Sequence, residues 1–427
     1  MKKNVLMIAI CSMLFVSLGS GNLWAGEIDI LINKLVEKRI LTHSEATQLT
    51  EEMQTEMSRQ KEEIKQVAKA AAKEESKGGG VKLPSWVENT KFKGDFRLRY
   101  QNENTDNDGN PARSRGRIRL RAGVESKVSD HWEAGFGLAT GGADPRSTNQ
   151  TLTDEFQTPD IRLDYAYGEY THDKIWSITG GKIKNPIWNP KDLLWDGDIR
   201  PDGIAAKIEH SISPALDFFV TPAFFLLEEF SSSSKDPSMA LIQPGINWKI
   251  NDTVSLKFAA AYYNFIDVKG SNMSVWSAGT NSRDGAGNWI YDYDSITADA
   301  ELGMKLSGVV PYVAVFGQYV NSDADANNTG WLAGFKAGYK SLKDLGQWQF
   351  TYNYRELEKD AWPDWLPDSD FYGGATGVKG SEFEFVLGLH KNVALGIDYY
   401  MSKPISLAPG ALSADQKLAQ VDLVVKF

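Results

Sequence analysis

The sequence predicts an all-β protein, a 16-stranded antiparallel transmembrane β-barrel preceded by a short helical segment. Apolar and polar residues alternate with a period of two from Lys91 onward, which is the pattern of strands with one apolar and one polar face. The final segment, 417–427, is such a strand and ends on Phe427. Aromatic residues make up 11% of the chain, as expected for a wall with aromatic bands at both membrane interfaces.

Sixteen segments have this alternating pattern. In the clearest of them, Gly116, Ile118 and Leu120 alternate with arginines. The pattern at 161–171 is ambiguous, so its register is left open. The predicted strands are 91–101, 114–128, 131–141, 161–171, 174–184, 202–210, 215–227, 238–250, 252–265, 294–307, 310–320, 330–341, 346–356, 381–390, 392–401 and 417–427.

The connections alternate between short and long. Short ones, such as 129–130, 251–252 and 391–392, have the Asn and Asp content of tight turns. Eight long connections interleave with them, which is the layout of an outer-membrane barrel with periplasmic turns and external loops. A soluble β-sandwich or β-helix is the alternative. It is disfavoured because its dry core has no place for charges at alternate strand positions.

Residues 1–25 have the features of a secretory signal peptide, with Lys2 and Lys3, an apolar run and small residues up to Ala25. The only cysteine, Cys11, lies inside this segment. The mature chain is therefore predicted to contain no disulfide, no thiolate metal site and no covalently attached haem, and no cofactor is expected.

Residues 26–80 are predicted to form a helical periplasmic segment ending in a glycine linker. Thr42 and Glu45 have the spacing of a capping box, and Leu49, Met53 and Met57 begin an apolar stripe. A short coiled coil and a solvated helical spacer both fit this stripe. The third predicted region, 81–427, is the barrel.

The first two predicted strands place a basic ladder on the lumen side of the wall. Seven buried cations need counter-charges or water, and a water-filled channel supplies both. A charged network that only braces the wall is the alternative. The basic ladder consists of Lys93, Arg97, Arg99, Arg115, Arg117, Arg119 and Arg121.

The long loop 185–198 combines two prolines with large apolar residues that are unfavourable in water, so we expect it to fold into the barrel. Its three aspartates are then expected to face the basic ladder and create a transverse field across a constriction. The predicted constriction residues are Asn185, Pro186, Trp188, Asp192, Trp195, Asp196 and Asp198.

This loop also carries a family resemblance. The run from Gly180 to Trp188, followed by Trp195-Asp196-Gly197-Asp198 and by Pro201 and Gly203, resembles the putative porins of Gram-negative bacteria. The opening strand, 92–100, the arginine ladder and the segment 35–42 are similar to the same family. The resemblance implies a diffusion channel and assigns no solute.

Other sites receive less support. Asp106 and Asp108 match the start of a calcium loop, but Arg115 occupies the twelfth position where a glutamate is required. No histidine has a serine and an acid placed for a lipase, so we expect no enzyme. The formal net charge of −10 disfavours a nucleic-acid partner.

The sequence therefore predicts an outer-membrane porin for passive diffusion of small hydrophilic solutes or ions. Expected partners are outer-membrane lipid, two further copies in a homotrimer, and the barrel-assembly machinery through Phe427. A barrel that sheathes a multihaem cytochrome in an electron conduit, and a tether between outer membrane and cell wall, are the alternatives. Ion preference is left open, because the basic ladder favours anions and the acidic loops oppose them.

Overall fold

The structure, a computed structural model, describes residues 42, 59, 85–107, 109–153, 155–173, 175–407 and 414–427. In the continuous described part of the chain, the helical turn α1 (Ser85–Glu88) precedes the sheet. The strands are β1 (Thr90–Thr105), β2 (Arg113–Lys127), β3 (Trp132–Thr140), β4 (Gln150–Thr151), β5 (Ile161–His172), β6 (Trp176–Lys182), β7 (Asp202–Ser213), β8 (Leu216–Leu226), β9 (Ser238–Lys249), β10 (Val254–Ile266), β11 (Ser295–Lys305), β12 (Tyr312–Ser322), β13 (Thr329–Gly338), β14 (Trp348–Leu357), β15 (Val378–His390), β16 (Val393–Pro404) and β17 (Gln416–Lys426).

Sixteen of these strands form a closed antiparallel wall. Each pairs with its sequence neighbours, except that β3 pairs with β5 and that β1 pairs with β17 to close the barrel. At the seam the backbone N–H of Gly94 donates to the carbonyl of Phe427 at 2.9 Å, and the N–H of Phe427 donates back at 3.0 Å. The predicted 16-stranded antiparallel barrel is confirmed, and each predicted strand bound lies within four residues of the observed one.

The two faces of the wall differ as a period of two requires. In β1, Phe92, Leu98 and Tyr100 are 63%, 46% and 55% exposed on the outside, whereas Arg99 and Gln101 on the inside are 4% and 2% exposed. Apolar side chains therefore form the outer surface and polar side chains the inner one, which is the arrangement that a lipid environment favours.

Aromatic side chains on this surface gather near the strand ends. At the short-turn end Tyr170 lies 5.2 Å from Trp132 and 5.5 Å from Trp176, measured between ring centroids. At the long-loop end Trp331 and Tyr354 lie 5.6 Å apart. Rings that are apolar with one polar edge suit the boundary between hydrocarbon and water.

The ambiguous pattern at 161–171 has a structural cause. The register between β3 and β5 shifts by one residue, because Gly137 pairs with Tyr165 while Leu138 pairs with Leu163. Asp164 is the additional residue of this β-bulge. Ile161 and Leu163 point outward before the bulge, and Tyr165 points inward after it, so the period of two is interrupted.

The strand β4 was not predicted. It consists of two residues in the connection from β3 to β5 and pairs with Arg117 and Ile118 of β2. The predicted signal peptide and helical segment lie outside the described residues, apart from Thr42 and Arg59. Within the described part of the chain, no helix is long and apolar enough to cross a bilayer.

If the outer face of the wall meets lipid, the cost of placing a charge on it should depend on depth in the bilayer. Leu98→Arg, near the middle of β1, is expected to destabilise the barrel in phospholipid vesicles by about 2–4 kcal/mol. The matched control Asn102→Arg lies on the same face near the long-loop end, where the expected cost is about 0–1 kcal/mol. Denaturant unfolding in vesicles measures both. Equal effects at the two positions would contradict the assigned outer face.

Candidate functional site: the lumen and its loops

The basic ladder lies on the inner face and is held by carboxylates. Asp95 accepts hydrogen bonds from Arg119 Nε at 2.9 Å and Arg121 Nε at 2.7 Å. Asp422 accepts two bonds from Arg99, both 2.7 Å long, across the seam of the barrel. Such charge-assisted pairs fix the arginine side chains firmly.

The other ladder residues also have partners. Lys93 pairs with Glu125 at 2.6 Å, Arg97 with Asp422 at 3.4 Å, Arg115 with Glu103 at 2.8 Å, and Arg117 with Gln101 and Ser147. Protein carboxylates therefore supply most of the counter-charge that the ladder requires. The ladder braces this side of the wall as well as lining it.

Residues 183–201 contact the inner face of strands from several parts of the barrel. The backbone of Trp188 exchanges two hydrogen bonds of 2.9 Å with the side-chain amide of Gln243 on β9. The N–H of Leu193 donates to Gln318 on β12 at 3.3 Å. Leu193, Leu194 and Trp195 are buried, so these apolar side chains are packed against protein and not exposed to water.

The three aspartates of this segment have different environments. Asp198 lies beside the basic ladder, accepting from Arg121 Nη1 at 3.1 Å and from the N–H of Thr148 at 3.0 Å. Burial opposes its ionisation, but Arg121 and Arg119 keep the pKa of the Asp198 carboxyl below its usual value. Asp198 is therefore the aspartate of this segment that contacts the basic ladder.

Among the described residues, the hydrogen-bond partners of Asp192 and Asp196 lie outside the basic ladder. Asp192 binds Arg355 of β14 at 2.8 Å. Both oxygens of Asp196 accept backbone N–H bonds of 2.8 Å, from Asp198 and Ser369. The sequence does not show these partners, because they come from a strand and a loop far along the chain.

Arg355 is the centre of a buried ionic cluster. It contacts Asp192, Asp368 at 3.5 Å and Glu382, and it lies over the ring of Phe371 with 4.5 Å to the centroid. Three of these carboxylates come within 4.8 Å of one another, which is short enough for a metal ion. Arg355 and Lys191, which lies 2.8 Å from Glu382, already occupy this position as the cationic partners of these carboxylates.

Two more loops pack against residues 183–201. We call the segments 183–201, 268–293 and 358–377 the loop cluster. Trp362 Nε1 donates to the carbonyl of Leu194 at 2.7 Å, and the rings of Trp289 and Trp365 lie 5.0 Å apart. One apolar core joins these three segments to inner residues of β7 to β10 and of β12 to β14.

Asp364 connects two segments of the loop cluster. Its carboxylate accepts from Ser277 Oγ at 2.6 Å and from the backbone N–H groups of Thr280 at 2.6 Å and Asn281 at 3.1 Å. It is fully buried. Neither loop was expected from the sequence to contribute to the site. A signal was present, because 361–367 repeats the mixture of proline, tryptophan and leucine found in 185–198.

The model of a family described as putative porin matches residues 58–113, 103–286 and 280–427. The chain belongs to the putative porin family. The family and the barrel together indicate an outer-membrane location for this porin.

Solved structures resemble the porin in fold. OprB of Pseudomonas putida, in its high-pH structure, has a TM-score of 0.53 and 11% identity, covering 82% of this chain and 97% of its own. OmpF of Salmonella typhi, in complex with daunomycin, has a TM-score of 0.45 and 13% identity, covering 79% and 97%. A mutant of the Rh. blastica porin has a TM-score of 0.45 and 10% identity, covering 79% and 100%. Of these three, OprB superposes closely enough to support the shared fold. No curated protein matches the porin.

The calcium candidate has limited support in the porin structure. Asp108 lies outside the described residues. The side chain of Asp106 accepts a long bond of 3.5 Å from Asn104, two residues earlier in the same turn. This contact joins two neighbouring side chains at the end of β1 and involves no ion.

The packing of residues 183–201 in this porin is expected to depend on pH. Burial and the neighbouring charge of Asp198 raise the pKa of the Asp196 carboxyl to about 8. Because the packed state then holds the proton more tightly than the released state, packing of this segment weakens as the pH rises from about 4 to about 8 and changes little above that.

Proteolysis at Lys191 and Arg200 measures this release. We expect native porin to become more susceptible relative to Asp196→Asn as the pH rises, since the amide is neutral throughout and keeps one acceptor oxygen. Comparing the two proteins at each pH cancels the pH dependence of the protease. A constant ratio between them would contradict the shifted pKa.

Proposed function

We propose that this porin is a passive diffusion channel for small hydrophilic solutes, with residues 183–201 folded inward to narrow the lumen. One observation carries the proposal. Lys207 and Glu209 lie on the inner face of β7, and yet each side chain is 53% exposed. Charged side chains that point into a closed barrel and remain accessible indicate a water-filled space at its short-turn end.

Other charged side chains at this end of the barrel are also accessible to water. Lys93 is 57% exposed and Lys184 is 49% exposed, and both bind Glu125. A solute entering from this end meets fixed charges of both signs surrounded by water. The loop cluster then restricts the passage toward the long-loop end, which supports sieving by size and charge.

Liposome swelling tests the proposal. Vesicles containing the folded porin are expected to swell in an isotonic monosaccharide, and to swell more slowly in a tetrasaccharide because the loop cluster narrows the lumen. Vesicles prepared with heat-denatured porin provide the control. Failure to swell in any solute, with the barrel shown to be folded by its heat-dependent gel mobility, would overturn the proposal.

The proposal also covers export of the chain, the segment that precedes the barrel, and the oligomeric state. We infer a signal peptide at 1–25, a periplasmic helical segment at 26–80, a barrel region at 81–427 and assembly as a homotrimer. The trimer is supported by analogy with other 16-stranded porins. The mass of the detergent-solubilised particle tests it, and a monomeric mass at high protein concentration would overturn it.

A further inference from the structure

We propose that solutes cross this porin by an off-centre route between the wall formed by β3, β5 and β6 and the end of segment 183–201, with Asp164 and Arg200 at its narrowest point. The route rests on the proposed diffusion function and adds to it the path and the residues that select the solute.

Two cavities mark the route. One, of about 450 Å³, is lined by loop residues 142–145, 147 and 148, by Arg162 and by Lys182. The other, of about 240 Å³, lies toward the short-turn end and is lined by Lys93, Arg121 and Lys184. The lining residues that both cavities share are Asp164 and Arg200. The two spaces therefore meet at this pair.

The bulge between β3 and β5 explains why Asp164 and Tyr165, although adjacent in sequence, both face the inside of the barrel. Alternation from Leu163, which faces lipid, points the Asp164 side chain inward, where it is 7% exposed, and the bulge then turns Tyr165 inward as well. Bulges commonly redirect a side chain in this way near functional sites and barrel rims. In a regular strand, Asp164 and Tyr165 would not both contribute to the inner cavities.

The contact between the two charges is loose. Arg200 Nε lies 3.6 Å from Asp164 Oδ1, which is too long for a hydrogen bond. Among the described residues Arg200 Nε has no hydrogen-bond partner, while Nη1 is fixed by the carbonyls of Gly197 and Ile199 at 3.0 and 3.1 Å. Nε itself is buried, so a passing anion meets the 15% of this fixed side chain that is exposed, at a residue that lines both cavities.

The route along the basic ladder is occupied by protein. Arg99 is 4% exposed and is held by Asp422 and by Asp370 at 2.9 Å. Arg97 binds Asn149, and Arg117 binds Ser147 at 3.5 Å, so the connection from β3 to β5 covers the ladder. A solute would have to break these contacts to pass there, whereas the two cavities are already open.

The charges along the proposed route favour small anions. Basic side chains outnumber acidic ones in the two cavities, with Arg162, Lys182 and Arg200 near the junction against Asp164 and Asp198. Fixed cations along a narrow passage raise the local concentration of anions. Asp164→Asn is therefore expected to move the reversal potential in a salt gradient further toward that of a purely anion-selective channel.

Cysteine modification tests the route, since the only native cysteine is Cys11 in the predicted signal peptide. Asp164→Cys and Arg200→Cys porins in planar bilayers are treated with a charged methanethiosulfonate reagent. We expect the conductance of each to fall below about half of its starting value, because the added group fills the narrowest point. Two variants are used so that a folding failure in one leaves the other informative.

Arg117→Cys provides the comparison on the ladder, where we expect a smaller loss. Lys417→Cys, exposed on the outer face of β17, is the control and should not respond. Strong block at position 117 with none at 164 and 200 would overturn the route while leaving diffusion intact. If native porin itself shows no conductance, the proposed function fails and the route fails with it.

Discussion

Replacing Arg355 with methionine is expected to destabilise this porin by about 3–5 kcal/mol, because removal of one partner from a buried ionic cluster leaves uncompensated charge behind. Glu382 and Asp368 are 1% and 8% exposed, so water cannot replace the guanidinium. Methionine fills a similar volume, and the effect therefore reports the lost charge more than a cavity.

The consequences of Arg355→Met should extend to residues 183–201, which would lose the 2.8 Å bond at Asp192. Denaturant unfolding in detergent measures the stability, and proteolysis at Lys191 measures local release. Arg113→Met, at an exposed end of β2, is the matched control and should change the unfolding free energy by less than about 0.5 kcal/mol. An equally small effect at Arg355 would contradict the role assigned to the cluster.

Asp364→Ala is expected to loosen the loop cluster and to raise single-channel conductance by about twofold or more. The substitution leaves the N–H groups of Thr280 and Asn281 without their acceptor, at about 1–3 kcal/mol for each buried group. The segments 268–293 and 358–377 then separate more easily, which widens the passage toward the long-loop end.

A nearby aspartate provides the control for Asp364→Ala. Asp284 also accepts backbone bonds, from Ala286 and Asn288, but it lies on the exposed part of the same loop. Asp284→Ala is expected to leave conductance unchanged, since no second segment depends on it. If Asp364→Ala also leaves conductance and tetrasaccharide exclusion unchanged, the loop cluster does not restrict the passage.

The strands were predictable because one face of each meets lipid and the other meets polar groups, so the period of two is visible in single segments such as 114–128. The strand pairing that closes the barrel was harder to predict from the sequence. The partner of Arg99 is Asp422, more than three hundred residues later, and this pairing depends on which strands meet at the seam. The bulge at Asp164 was hidden for a related reason, because a register shift is a property of two strands together.

For the loops too, burial could be predicted from the sequence but the contact partners could not. The apolar content of 185–198 indicated that these residues avoid water, and Leu194 and Trp195 are indeed buried. What they pack against could not be derived, because 268–293 and 358–377 supply much of the contact. Charge partners were the least predictable, since Asp192 binds Arg355 on β14 and not the basic ladder that the sequence suggested.

Planar-bilayer recording tests the central claim, that this closed wall surrounds a water-filled passage, most directly. Folded porin is expected to produce stepwise increases in current whose size grows with salt concentration and is linear in voltage at low voltage, with a reversal potential on the anion side. A folded, heat-modifiable barrel that inserts into the bilayer and yields no current steps at any salt concentration would contradict the account.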